Sequence, residues 1–115
     1  MGAITTHVLD TSRGCPAAGV PVVLELIDAR EQWQVVGRGV TDDDGRLRSL
    51  LAPSAALTPG IYRLVFETRT YFKGLGARAF YPQITVTFEV VDGEAHYHVP
   101  LLLSPFGYTT YRGSQ

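Results

Sequence analysis

Ile84-Thr85-Val86-Thr87-Phe88-Glu89-Val90 alternates apolar and polar side chains without a break, which is the period of a half-buried strand and not of a helix. Ile84, Val86, Phe88 and Val90 share one face, with Thr85, Thr87 and Glu89 on the other. Runs of the same kind precede it at residues 4–9, 20–27 and 33–40. Another is launched by Pro59-Gly60, and there Tyr62, Leu64 and Phe66 face one way and Arg63 and Glu67 the other. The turn Asp92-Gly93 leads into a last strand pair whose first member holds Val99-Pro100-Leu101-Leu102-Leu103 and which Pro105-Phe106-Gly107 divides. Clusters of Gly, Pro and Asp between short alternating runs predict an all-β sandwich rather than βαβ units. Residues 68–75 alone read as helix, held to about two turns by Gly74 and Gly76.

With 115 residues, 45% of them hydrophobic, and 12 Gly and 7 Pro, the chain is expected to form one domain over residues 1–115. A domain of this size buries roughly two-thirds of its unfolded surface, enough for a two-layer core without disulfides. The net charge is −1 and the ten Lys and Arg residues are scattered, which argues against a nucleic-acid partner. No basic start leads into an apolar stretch, and no run approaches the roughly 18 apolar residues of a membrane span. The expected location is therefore the cytoplasm. Cys15 is the single cysteine, which fits a reducing compartment. It falls in a turn, Arg13-Gly14-Cys15-Pro16, with no adjacent base to activate it, and reads as a loop cysteine.

Three histidines carry the chemical interest: His7 within the first strand, and His96 and His98 two apart, hence on one face, near the end. A His-x-His on a strand can ligate zinc or copper, but no Cys or carboxylate is spaced to complete the set, so no metal site is expected. From position alone His98 and His7 read as hydrogen-bonded or edge-exposed imidazoles, but an imidazole within an ordered strand is costly unless it is paired or faces a cleft. Arg46, after the turn Asp44-Gly45, has a solvated loop charge as its default reading. The last complete turn, Tyr111-Arg112-Gly113-Ser114, sets a phenol, a guanidinium and a hydroxyl where terminal residues usually fray. A tail of that composition reads as positioned. No Gly-x-Ser-x-Gly elbow, phosphate-binding glycine loop or Ser-His-Asp order is present.

Three stretches read in order, Thr6-His7-Val8-Leu9-Asp10, Thr70-Tyr71-Phe72-Lys73-Gly74-Leu75-Gly76 and Leu102-Leu103-Ser104-Pro105-Phe106-Gly107-Tyr108, resemble the transthyretin family over essentially the whole chain. The resemblance implies a transthyretin/prealbumin-like two-sheet β-sandwich with one short helix, assembled as a homotetramer, a dimer of dimers, around a central channel. The family holds a hormone carrier and an enzyme of urate breakdown, 5-hydroxyisourate hydrolase. The carrier has a lysine, an acidic residue and a threonine where this chain has His7, Arg46 and His98, and it lacks the Tyr-Arg-Gly-Ser ending. At all four places the chain resembles the hydrolase. It departs from the usual pattern in Thr109-Thr110, for Ser-Thr, and in Gln115 after the serine that often closes the chain.

The resemblance implies hydrolysis of 5-hydroxyisourate to 2-oxo-4-hydroxy-4-carboxy-5-ureidoimidazoline, with His7, Arg46, His98 and Ser114 catalytic and His7, Arg46, Tyr111 and Arg112 binding substrate. His98 assisted by Ser114 is the expected base, Arg46 the group that polarises the substrate's oxygens, and His7 the ring binder and proton shuttle. Tyr111 is expected to close over the ring and Arg112 to anchor the tail. Ring opening by water changes no oxidation state, so no cofactor is expected. Two other readings remain: a carrier of a small aromatic ligand in the same channel, and an adhesion module that shares only the sandwich.

Overall fold

A computed structural model describes residues 2–52 and 55–114. The expected two-sheet sandwich is what the chain forms. The first sheet is built on β1 (Ala3–Asp10), which runs parallel to β8 (His96–Ser104), and β8 in turn pairs antiparallel with β9 (Gly107–Thr110). Two short strands, β2 (Cys15–Pro16) and β5 (Arg46–Leu47), pair with the other edge of β1. The second sheet has the order β4 (Trp33–Val40), β3 (Pro21–Ile27), β6 (Gly60–Phe66), β7 (Ile84–Val90). The turn at Asp92-Gly93 thus carries the chain from one sheet to the other.

Alternation decides what lies between the sheets. Ile4 and Val8 of β1 and Tyr97, Val99, Leu101 and Leu103 of β8 are buried, facing Leu24, Tyr62, Leu64, Phe66, Ile84 and Val86 of the second sheet. Thr5, His7, His96 and His98 occupy the alternate positions, so the first sheet turns them to its outer face. The helix α1 (Thr68–Gly74) buries Tyr71 and Phe72, and it ends where Leu75 and Gly76 bond back to the carbonyls of Phe72 and Lys73. Gly76 holds a φ of 71°, a conformation that suits glycine and stops the helix.

Two expectations are corrected. Cys15 does not sit in an open turn: Cys15–Pro16 is a short strand paired with Leu9 and Asp10. Arg46 is no loop charge either, because it is paired directly with His7 across β1 and β5. Both strands are too short to show a period, and tertiary pairing alone creates them. The buried Asp10 explains the first: its carboxylate accepts from Ser12 N and Oγ, Arg13 N and the Tyr71 hydroxyl, at 3.0, 2.6, 3.2 and 2.7 Å. That network folds the chain back on β1.

Candidate active site

The outer face of the first sheet carries a cleft of about 320 Å³ lined by Thr5, Thr6, Arg46, Arg48, His96, His98 and Ser114. Each side is set by local geometry. The Thr5 backbone lies level with that of His98 in the parallel β1–β8 ladder, and His7 lies level with Arg46 in the β1–β5 ladder. One polar row therefore runs across three strands.

Asp42 and Gly45 place Arg46. The Asp42 carboxylate accepts from the amides of Asp44 and Arg46, both at 2.9 Å, and Arg46 returns its carbonyl to the Asp42 amide. These bonds, the one from the Arg46 amide foremost, hold the Asp42 carboxyl below its ordinary value. Gly45 has a φ of 75° and lies so close to the Val8 carbonyl that an added Cβ would meet it at 2.3 Å, so glycine is required for the turn to press against β1. His7 Nε2 is 2.8 Å from the Asp44 carbonyl of the same turn.

The tail is held by backbone. The Gly113 amide donates to the His98 carbonyl at 2.8 Å, an isolated antiparallel bridge that lays the tail along β8. A Cβ at Gly113 would fall 2.6 Å from His98 Cδ2 and 3.1 Å from Pro100 Cγ. Glycine lets the tail lie flush on His98, and Ser114 enters the cleft as a result. Arg112 sits with its guanidinium 4.6 Å from the centre of the Tyr97 ring and reaches the His96 carbonyl at 3.5 Å, an anchoring position. Tyr111 and Arg112 line a second groove with Val86, Phe88 and Glu89. Within one chain, then, Arg46, His98 and Ser114 meet in one cleft beside His7, whereas Tyr111 and Arg112 do not reach it. Gln115 lies outside the described residues.

His98 Nδ1 is 2.8 Å from Thr5 Oγ1, and Nε2 carries no hydrogen bond to the described residues. Burial, followed by the charges of His96, Arg46, His7 and Arg48, holds His98 below the ordinary imidazole value of 6.5. The ring is neutral at pH 7, and among the described residues that line its cleft are two guanidinium groups and no carboxylate. Such a site can take a proton from water and stabilise negative charge on an oxygen. No group of three or more His, Cys, Asp or Glu among the described residues is placed to hold a metal ion.

The sequence alone places His96 on the face of His98 without giving it a role, and it singles out neither Thr5 nor Arg48. The strand period counted from His7 would have put Thr5 on the same face, whereas Arg48 follows the two-residue β5, which has no period to read.

A transthyretin-like sandwich whose outer face carries a basic, two-histidine cleft is thus defined by fold and site together. Residues 4–113 match the HIUase/Transthyretin family, and the chain belongs to it. The 5-hydroxyisourate hydrolase of Mus musculus is 46% identical over 112 residues, covering 96% of this chain and 94% of that protein. Among solved structures, Klebsiella pneumoniae 5-hydroxyisourate hydrolase is 36% identical with a TM-score of 0.86, covering 99% of this chain and 100% of that one. Sea bream transthyretin in complex with thyroxine is 32% identical with a TM-score of 0.91, covering 98% and 96%. The chain spans 44% of the length of an (S)-allantoin synthase that it resembles at 39% identity and a TM-score of 0.87.

Proposed function

We propose that this chain hydrolyses 5-hydroxyisourate to 2-oxo-4-hydroxy-4-carboxy-5-ureidoimidazoline, acting as a homotetramer in the cytoplasm with its 115 residues forming one domain. One observation carries the reading: a neutral His98, whose Nε2 has no hydrogen-bond partner among the described residues, shares a cleft with Arg46, Arg48 and Ser114. The relatives that bear the hydrolase name support it. A cleft for carrying an apolar aromatic ring has no use for that concentration of cation and base, although the backbone superposes more closely on the sea bream transthyretin than on the Klebsiella pneumoniae hydrolase.

In the proposed reaction water adds to a ring carbonyl. Its proton passes to His98 Nε2, with the Ser114 hydroxyl orienting the water, while charge develops on the carbonyl oxygen opposite the Arg46 guanidinium. Collapse of the adduct breaks the ring C–N bond, and the departing nitrogen takes the proton that His98 accepted, directly or relayed by His7, which returns both imidazoles to their starting state. The leaving group stays attached to the product, and no electron changes hands.

Assembly is supported by the surface. Phe80 is 67% and Phe106 73% exposed, Tyr81 packs edge-on to both Phe80 and Tyr108, and among the described residues β7 and β9 are each the last strand of their sheet, with an unpaired edge. In such an assembly Tyr111, 56% exposed, closes over a ring bound by a facing subunit. A reducing cytoplasm suits the free Cys15, and among the described residues no helix is long and apolar enough to cross a membrane.

The test generates 5-hydroxyisourate from urate with urate oxidase and follows its ultraviolet decay with the uncatalysed rate subtracted. Decay that accelerates in proportion to protein is expected. Uncatalysed decay in the presence of folded protein, with saturable binding of a planar aromatic ligand, would establish the carrier reading instead.

A further inference from the structure

The Thr5 hydroxyl is 2.8 Å from His96 Nε2 and 2.8 Å from His98 Nδ1, so one oxygen bridges the two imidazoles. Thr5 is buried, its Cα is level with that of His98, and its backbone is held in the parallel β1–β8 ladder. A hydroxyl has a single proton to donate and two lone pairs. It can therefore donate to only one of these rings, and the other ring must donate to it for both bonds to exist. The direction of this short chain decides which nitrogen of His98 faces the cleft without a proton.

We infer that Thr5 is a positioning residue: its hydroxyl accepts from His98 Nδ1–H and donates to His96 Nε2, which leaves His98 Nε2 bare toward the cleft. Electrostatics sets the direction. Arg46 and Arg48 line the cleft with His98, and a lone pair facing two guanidinium groups is attracted where an N–H bond would be repelled. The reverse direction would put the proton on Nε2 and turn the base into a donor. His96 is then an acceptor at the far end of the chain, a task that requires it neutral.

The arrangement also couples the two rings. When Nε2 takes a proton, the bond from Nδ1–H to Thr5 becomes charge-assisted and polarises the one from Thr5 to His96. The groups facing His98 are His96 on its own strand, Thr5 and His7 on β1, Arg46 and Arg48 from β5 onward, and Ser114 from the tail.

The inference rests on the hydrolase reading for its kinetic consequence and not for its structural one, and the experiment separates them. Nitrogen-15 NMR of the ring nitrogens in the intact protein reports which one of His98 is protonated at pH 7 to 8, where the ring is neutral. The expected results are an Nδ1–H tautomer in the native chain and in Thr5→Ser, and a shift toward Nε2–H in Thr5→Val. Turnover should follow: kcat falls on the order of tenfold or more in Thr5→Val, KM stays within about twofold, the acid limb moves, and Thr5→Ser recovers most of the rate. An Nε2–H tautomer in the native protein, or a Thr5→Val variant with native tautomer and native pH profile, overturns the inference. If the native chain shows no turnover while Thr5→Val still switches the tautomer, the hydrolase reading fails and the inference stands.

Discussion

Replacing Gly113 with alanine isolates what the docked tail contributes. The new Cβ would lie 2.6 Å from His98 Cδ2 and 3.1 and 3.3 Å from Pro100 Cγ and Cδ, against an ordinary carbon–carbon contact of about 3.5–4.0 Å. The ring of His98 is tied to Thr5 and that of Pro100 to its own backbone, so the tail must move, by about 1 Å. The Gly113–His98 bond of 2.8 Å then stretches to about 3.8 Å, beyond a hydrogen bond. One bond of this kind is worth about 0.5–1.5 kcal/mol, a small part of a domain's stability. Ser114 leaves its place in the cleft by a similar distance, and a misplacement of about 1 Å can cost on the order of 100-fold in rate. The predicted Gly113→Ala protein thus unfolds within a few degrees of the native one and hydrolyses 5-hydroxyisourate about 100-fold more slowly. Thermal unfolding and steady-state decay on the same preparation measure both. Native kcat in Gly113→Ala would refute the argument that the tail's seat on β8 matters to the chemistry.

Arg46→Lys keeps the charge and loses the planar fork, so hydrolysis should slow by on the order of tenfold or more. An unchanged kcat/KM would make Arg46 a source of field only. His98 acts as a base only when neutral, and its folded pKa lies below 6.5, so kcat/KM should be flat through pH 7 and fall only below 6.5. The unfolded chain takes up that proton at the ordinary value, so stability should decline as pH drops from 6.5 to the folded pKa and level off beneath it. Urea titrations of the native and His98→Asn proteins across that window check the sign. Tyr71→Phe removes a donor to the buried Asp10 carboxylate and should destabilise by roughly 1.5–3 kcal/mol at pH 7. Four hydrogen bonds hold Asp10 below its usual range in spite of burial, so this loss should shrink as pH falls through the folded Asp10 pKa. Denaturation of both proteins at a series of pH values from 7 downward makes the comparison.

The sandwich was legible because alternation is a local signal: residues 84–90 and the faces of Tyr62, Leu64 and Phe66 emerge as read. The short helix was legible from its bounding glycines. The strand Arg46–Leu47 was not, since two residues have no period and its partner His7 stands far away in sequence. The same limit hid the shared cleft: His7 and His98 announce themselves as costly polar residues in strands, but only the parallel β1–β8 register brings Thr5 between the two C-terminal histidines. Nor does composition foretell that Gly113 is needed for contact with a ring rather than for a turn. Tyr111 and Arg112 flank the tail's docking point, and the sequence has no means of saying that they fall into a different groove from Ser114.

The central claim is that His98 Nε2 takes the proton from water, and the rate of 5-hydroxyisourate decay with His98→Asn at pH 7 tests it most directly. Asparagine fits the same outer-face position and cannot accept that proton, so the account predicts a loss of about 10²–10⁴ in kcat with unfolding behaviour close to native. A folded His98→Asn protein that turns over within twofold of the native rate would contradict it.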